Sequence, residues 1–279
     1  MPAEFDLHEA TLDETLARLQ GLIRGEPGVP AHRAFLFQLL AVLGQWERAL
    51  TQLGVLGEME PAATLMAHAY REAVQCEVLR HAVFSGERTP VVFGEPEEWM
   101  ALVLEALKLT AAGRFERAQE LRASAFEKAP ATAGTLVLDA PDAPATPAPG
   151  RPFEWIADAD SRLGPVIEAI VNGRYYWIPF HRIRQLRLER PADLRDLVWL
   201  PAQFRWTNGG EAAGLIPTRY PGTESSGQDD LRLARRTEWL DRPGDTFLGV
   251  GQRMLATDDG EHALLDIRQV DLTGVADPT

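Results

Sequence analysis

The 279-residue chain has one cysteine, two lysines and no apolar run long enough to cross a bilayer. Each shortage excludes something. The lone thiol, Cys76, rules out an internal disulfide framework and suits a reducing compartment. Without about 18 consecutive apolar residues, no segment is a candidate membrane-spanning helix. The first residues, Met1 to Asp6, lack the basic-then-apolar order of a secretory leader. The chain is therefore expected to be soluble and cytoplasmic, with no membrane partner. Cationic excess is missing as well. The formal charge is −13, and residues 1–130 and 151–279 carry −7 and −4, so neither half is suited to tracking phosphate backbones. No nucleic-acid partner is expected. Only Lys108 and Lys128 are lysines, and the arginine bias of the other cations is read as compositional, not as phosphate recognition.

Catalytic constellations are equally sparse. His8, His32, His68, His81, His181 and His262 are scattered, without HxH or HxxxH spacing, so no metal and no cofactor is expected. Gly249-Val-Gly251 offers a GxG without the third glycine or a βαβ context. Cys76 sits among Val74, Val78 and Leu79, the setting of a buried, inert thiol. Carboxylate pairs occur at Asp158/Asp160, Asp229/Asp230 and Asp258/Asp259. A helix start explains the second and a turn the third. Capping is the leading reading of Asp158/Asp160. The rival is a hydrolase or carbohydrate-binding enzyme using these two carboxyls on the second half.

What the chain does contain is a repeat. Gly44-Gln-Trp46-Glu-Arg-Ala49 with Pro61 matches Gly113-Arg-Phe115-Glu-Arg-Ala118 with Pro130; Gly to Pro is 17 residues in both, and the copies lie 69 apart. That is close to twice the roughly 34-residue tetratricopeptide period. Glycine ends one helix, the aromatic and the small alanine face the partner helix, and proline starts the next unit. Residues 1–130 are thus expected to form a TPR-like domain of helical hairpins. Leu12, Leu16, Leu19 and Ile23 mark its first helix, and a long helix from Ala62 to Phe84 turns Leu65, Ala69, Ala73, Cys76 and Leu79 inward.

Residues 131–152 are rich in proline and alanine and read as a semi-stiff linker. From Phe153 the period changes to two. Val166, Glu168 and Ile170 alternate before Asn172-Gly173, the strongest short hairpin signal, and Tyr175 to Ile178 return. Residues 153–279 are expected to be a mostly antiparallel β domain, barrel-like in outline, with short helices near Arg182 and Leu231. The fold class is α+β in two domains. Trp177, Arg182, Trp199, Trp206, Arg219, Tyr220, Arg236 and Trp239 crowd this half. Such residues anchor interfaces and also build cores. Trp177, Arg182, Trp199, Arg219, Tyr220 and Trp239 are the candidate partner-binding set.

Longer motifs carry a resemblance. Asp160-Ser-Arg-Leu-Gly-Pro165, Asn172-Gly-Arg-Tyr-Tyr-Trp177, Leu194-Arg-Asp-Leu-Val-Trp199 and Ile216-Pro-Thr-Arg-Tyr-Pro-Gly222 resemble the ImpE family, also called SciE or TagJ. Leu233-Ala-Arg-Arg-Thr-Glu-Trp239 and Gly249-Val-Gly-Gln-Arg-Met254 do the same. The resemblance spans essentially the whole chain. It implies an accessory protein of bacterial type VI secretion, without enzymatic activity. It further implies an adaptor that binds a helix of the small contractile-sheath subunit and, in some members, a link to the AAA+ ATPase that disassembles the sheath.

Overall fold

The computed structural model describes residues 10–139 and 150–273. The first part is helical: α1 (Leu12–Gly25), α2 (Pro30–Val42), α3 (Trp46–Met59), α4 (Thr64–Phe84), α5 (Glu98–Ala111) and α6 (Phe115–Lys128). Thr11 starts α1 with a reciprocal cap, its hydroxyl accepting the Glu14 N–H while the Glu14 carboxylate accepts the Thr11 N–H. The hairpins α2/α3 and α5/α6 turn through the two repeat glycines, at φ +68° for Gly44 and +71° for Gly113. In each, the residue after glycine donates five positions back: Gln45 to the Leu40 carbonyl at 2.9 Å, Arg114 to that of Leu109 at 2.8 Å. Ala49 and Ala118 are fully buried. Gly86 stops α4 by the same device.

Two helical expectations are corrected. Pro61 opens a short 3₁₀ turn ahead of α4, but Pro130 starts no further repeat, because a strand follows it. The buried face of α4 is also rotated from the apolar one read in the sequence. Leu65 is 81% exposed and Ala69 is exposed, whereas Ala67, Tyr70, Ala73, Val74, Cys76, Glu77 and Arg80 are buried. The helix turns toward the partners of Glu77 and Arg80, described below.

The remaining elements are β1 (Val91–Val92), β2 (Gly134–Leu138), β3 (Arg151–Phe153), β4 (Ile156–Asp158), β5 (Val166–Val171), β6 (Arg174–Pro179) and β7 (Ile183–Leu188). They continue with β8 (Trp199–Trp206), β9 (Glu211–Pro217), α7 (Asp229–Arg232), β10 (Thr237–Arg242), β11 (Thr246–Gly251), β12 (Met254–Thr257), β13 (Gly260–Ala263) and β14 (Ile267–Leu272). Among the described residues, nine strands form one sheet in the order β1-β6-β5-β9-β8-β7-β14-β2-β3. Its two ends do not meet, so the sheet is open and the barrel outline is corrected. All its pairings are antiparallel except β1 with β6. Asn172 and Gly173, both at positive φ, make the tight turn between β5 and β6. A β10/β11 ribbon and a three-stranded sheet, β13-β12-β4, complete the fold.

The expected linker is corrected at both of its ends. Within residues 131–152, β2 pairs with β14 and with β3, so both ends of that stretch belong to the sheet. Its central residues, 140–149, lie outside the described residues. The register of β5 divides the interior into two cores. Val166 and Ile170 join Leu39, Leu40, Ala73, Val103 and Trp177 beneath the helices, whereas Ile167, Ala169 and Val171 join Ile178, Leu200 and Leu255 on the opposite face. One core is thus shared by helices and sheet.

The two glycine turns differ in what surrounds them. A Cβ at Gly113 would meet nothing within 4 Å, whereas at Gly44 it would lie 2.6 Å from Glu224 Cβ. Gly113→Ala should therefore cost only the left-handed strain, about 1–2 kcal/mol. Gly44→Ala should cost clearly more, as read by urea unfolding. Equal losses would contradict this packing.

Candidate functional site

The sequence-derived residues converge, but most of them converge inward. Glu168, on β5 between Ile167 and Ala169, is fully buried and faces α4. Arg80 of α4 grips it with two donors, Nε to Oε1 at 2.7 Å and Nη2 to Oε2 at 2.9 Å. Arg253 approaches from the other side and donates to both Glu168 and Asp158. Its Nε donates to the Pro217 carbonyl at 2.9 Å. Tyr175 donates its hydroxyl to Glu168, and Trp177 Nε1 donates to the Tyr175 oxygen at 2.7 Å. Glu77, one turn before Arg80, accepts from Trp199 Nε1 at 3.0 Å. Arg219 caps α2, donating to the Val42 carbonyl at 2.8 Å, and its own carbonyl accepts from Arg80. Trp199 closes the joint against Tyr70 of α4 and Trp46 of α3, with ring centroids 5.8 and 5.9 Å away.

Asp158 and Asp160 belong to the same interior. Asp158 accepts from the Tyr220 hydroxyl at 3.1 Å and from the Asp160 N–H at 2.9 Å, besides Arg253. Asp160 accepts from Arg162 Nε at 2.8 Å and from the Gly249 N–H at 2.7 Å. Both carboxylates border the groove described below, but they are buried and bound to loops and arginines. Cys76 is buried too, its thiol pushed up to about 12 by burial and by the Glu77 and Glu72 charges. Among the described residues no group of three or more His, Cys, Asp or Glu is placed to hold a metal. Among the same described residues no helix is long and apolar enough to cross a membrane.

Of the candidate partner-binding set, Trp177, Trp199, Arg219 and Tyr220 are interior residues. Arg182 is partly exposed and bonded to Glu97 at 2.7 Å, tying β7 to the start of α5. Trp239 is half-buried against Tyr220. Large apolar side chains are exposed elsewhere. Phe126 on α6 is 38% exposed and Trp155, just before β4, is 41% exposed. They flank a groove of about 460 Å³ whose walls include Ala129, Pro130 and Ala131. Alternation explains its floor. Ile156, Asp158, Leu255 and Thr257 point inward, which leaves the small Ala157, Ala159 and Ala256 facing out. Phe126 lies over the bare backbone of Gly164, where any Cβ would come within 2.3 Å of the ring. Phe126 and Trp155 were not in the sequence-derived set. The available signal was faint, a tryptophan directly after the charged Glu154.

Burial alone would raise the Glu168 carboxyl; Arg80 and Arg253 outweigh it and hold it down at about 2. Asp158 stays up at about 6, because burial and the Asp160 and Glu168 charges exceed what Arg253 offsets. Glu168 therefore stabilises the fold fully above its ordinary 4.5, and that contribution is lost as pH falls toward 2. Asp158 has the opposite sign and favours the fold as pH drops from about 6 toward 4. Glu168→Gln should cost about 3–5 kcal/mol at neutral pH by leaving two buried arginines under-paired. It should also flatten the acid limb between pH 4.5 and 2. A near-neutral urea midpoint, or an unchanged acid limb, would contradict the arrangement.

A family model described as "ImpE protein" matches residues 150–271. The chain is 49% identical, over 97% of its own length and 91% of the relative's, to a type VI secretion system accessory component, TagJ, of Pseudomonas aeruginosa strain PAO1. A crystal structure of protein VPA1032 from Vibrio parahaemolyticus superposes with a TM-score of 0.82 at 25% identity, covering 96% of each chain. The inward-facing motifs quoted above, from Asp160 to Met254, fall within the matched region. The chain belongs to the ImpE family.

Proposed function

We propose that this protein is a non-enzymatic, cytoplasmic accessory component of a bacterial type VI secretion system. In this reading it is an adaptor that holds a helix of the small contractile-sheath subunit and links the sheath to the AAA+ ATPase that disassembles it. The extensive identity to the accessory component TagJ supports the system. The observation that carries the adaptor reading is the groove between α6 and β4. It is apolar, about 460 Å³, floored by alanines and flanked by the exposed rings of Phe126 and Trp155. Grooves of this kind take the apolar face of an amphipathic helix through anchors at i, i+3/i+4 and i+7. Exposed aromatics supply much of the binding energy in such contacts. The pairing of Asp158 and Asp160 with Arg253, Tyr220 and Arg162 supports the non-enzymatic reading over the hydrolase one.

Titration of a labelled peptide covering the helices of the small sheath subunit tests the proposal, with the ATPase scored separately. Micromolar or tighter binding is expected, falling by roughly tenfold or more in Trp155→Ala, as hot-spot truncation does. Absence of binding by the intact protein, or binding untouched by Trp155→Ala and Phe126→Ala, would contradict the proposed groove.

A further inference from the structure

We infer that the groove selects an apolar segment flanked by lysine or arginine; this deepens the adaptor reading and rests on it. The groove lining contains no Lys or Arg; of its three carboxylates, Asp158 and Asp160 are buried and paired to Arg253 and Arg162, and the exposed one is Glu261 on β13, which pairs in register with Ala256 of the floor. Further exposed carboxylates adjoin the lining residues in sequence or through a hydrogen bond. Glu154 directly precedes Trp155, and its N–H donates to Asp258 at 2.7 Å, which places the exposed Asp258 and Asp259 turn beside the tryptophan. Exposed Glu127 directly follows Phe126 on the opposite wall. Lys128, the nearest cation on α6, is ion-paired to Glu98; Arg151, at the start of β3, is the other exposed cation close in sequence. An apolar floor within an acidic collar is complementary to a helix whose anchors are bordered by cations.

The same complementarity argues against an occupant from this chain itself. Residues 1–9, 140–149 and 274–279 contain no Lys or Arg, but do contain Glu4, Asp6, Glu9, Asp142 and Asp277. A second copy brings a charge of −13 to an already acidic collar. The occupant is therefore a basic-flanked amphipathic helix of a partner protein. Direct hydrophobic contact with Phe126 and Trp155 would supply affinity, and the collar would supply selection and encounter rate.

The test uses the full-length protein and two labelled amphipathic peptides of about 18 residues. Both carry leucines at i, i+4 and i+7; one is flanked by lysines, the other by glutamates. Anisotropy titrations should show the lysine peptide binding about tenfold or more tighter in low salt, with the advantage collapsing near 0.5 M salt as screening shortens to a few ångströms. The triple substitution Glu154→Gln, Asp258→Asn, Glu261→Gln should abolish the advantage while leaving the fold intact, because these side chains are exposed. Trp155→Ala should weaken both peptides. Equal affinities for the two peptides, both lost in Trp155→Ala, would overturn charge selection and leave the groove standing. If neither peptide binds below about 100 μM, or Trp155→Ala changes nothing, the inference is overturned. Sheath-subunit binding retained in that case would place the adaptor contact elsewhere on the molecule.

Discussion

The arrangement depends on a bridge of charge in a place without water: Arg80, Glu168 and Arg253, with Asp158 and Glu77 at the ends. A lone buried charge costs several kcal/mol, and each of these groups escapes that cost only by meeting the others. Arg80 comes from a helix, Glu168 from the sheet and Arg253 from the segment joining β11 to β12. None can be buried until all three segments are in place. That requirement turns α4 away from its most apolar face and seats the helices on β5 and β6. Trp177, Trp199 and Tyr175 add hydrogen bonds that orient the carboxylates. Hydrophobic burial drives the assembly, and the ion bridge fixes its register.

The proposed function rests on what this joint leaves outside. Aromatic residues that could have served a partner are committed to the interior, and the apolar surface offered to solvent at the α6–β4 junction is the groove of Phe126 and Trp155. Its two walls come from parts of the chain that the joint locks together. Arg122 of α6 reinforces this, donating to Thr246 Oγ1 at 2.7 Å and to the Gly244 carbonyl at 3.1 Å on the ribbon. A groove preformed in this way loses little entropy on binding, so more of its contact energy appears as affinity.

Local signals in the sequence were legible because their causes are local. Gly44 and Gly113 mark turns that need positive φ, and Asn172-Gly173 marks a hairpin of a defined type. The α+β class followed from the change of period near Phe153. Three matters were not legible. Glu77 and Arg80 look solvent-facing on a helix, since Glu168 lies 88 residues from Arg80 and Trp199 lies 122 residues from Glu77. Glu168 within Val166–Val171 was the visible clue, a charge in an otherwise apolar strand. Trp177, Trp199, Arg219 and Tyr220 have the composition of an interface, and an internal joint between layers has the same composition for the same physical reasons. The ends of the proline- and alanine-rich stretch pair with β14 and each other, contacts that composition does not register.

Through the buried bridge, helices and sheet should unfold as one thermodynamic unit. Native-state hydrogen exchange under low urea tests it most directly. Amides of α4 around Arg80 and of β5 around Glu168 should exchange with the same opening free energy and the same urea dependence. A lower opening energy for α4, with β5 still protected, would show that the helices detach alone and would contradict this.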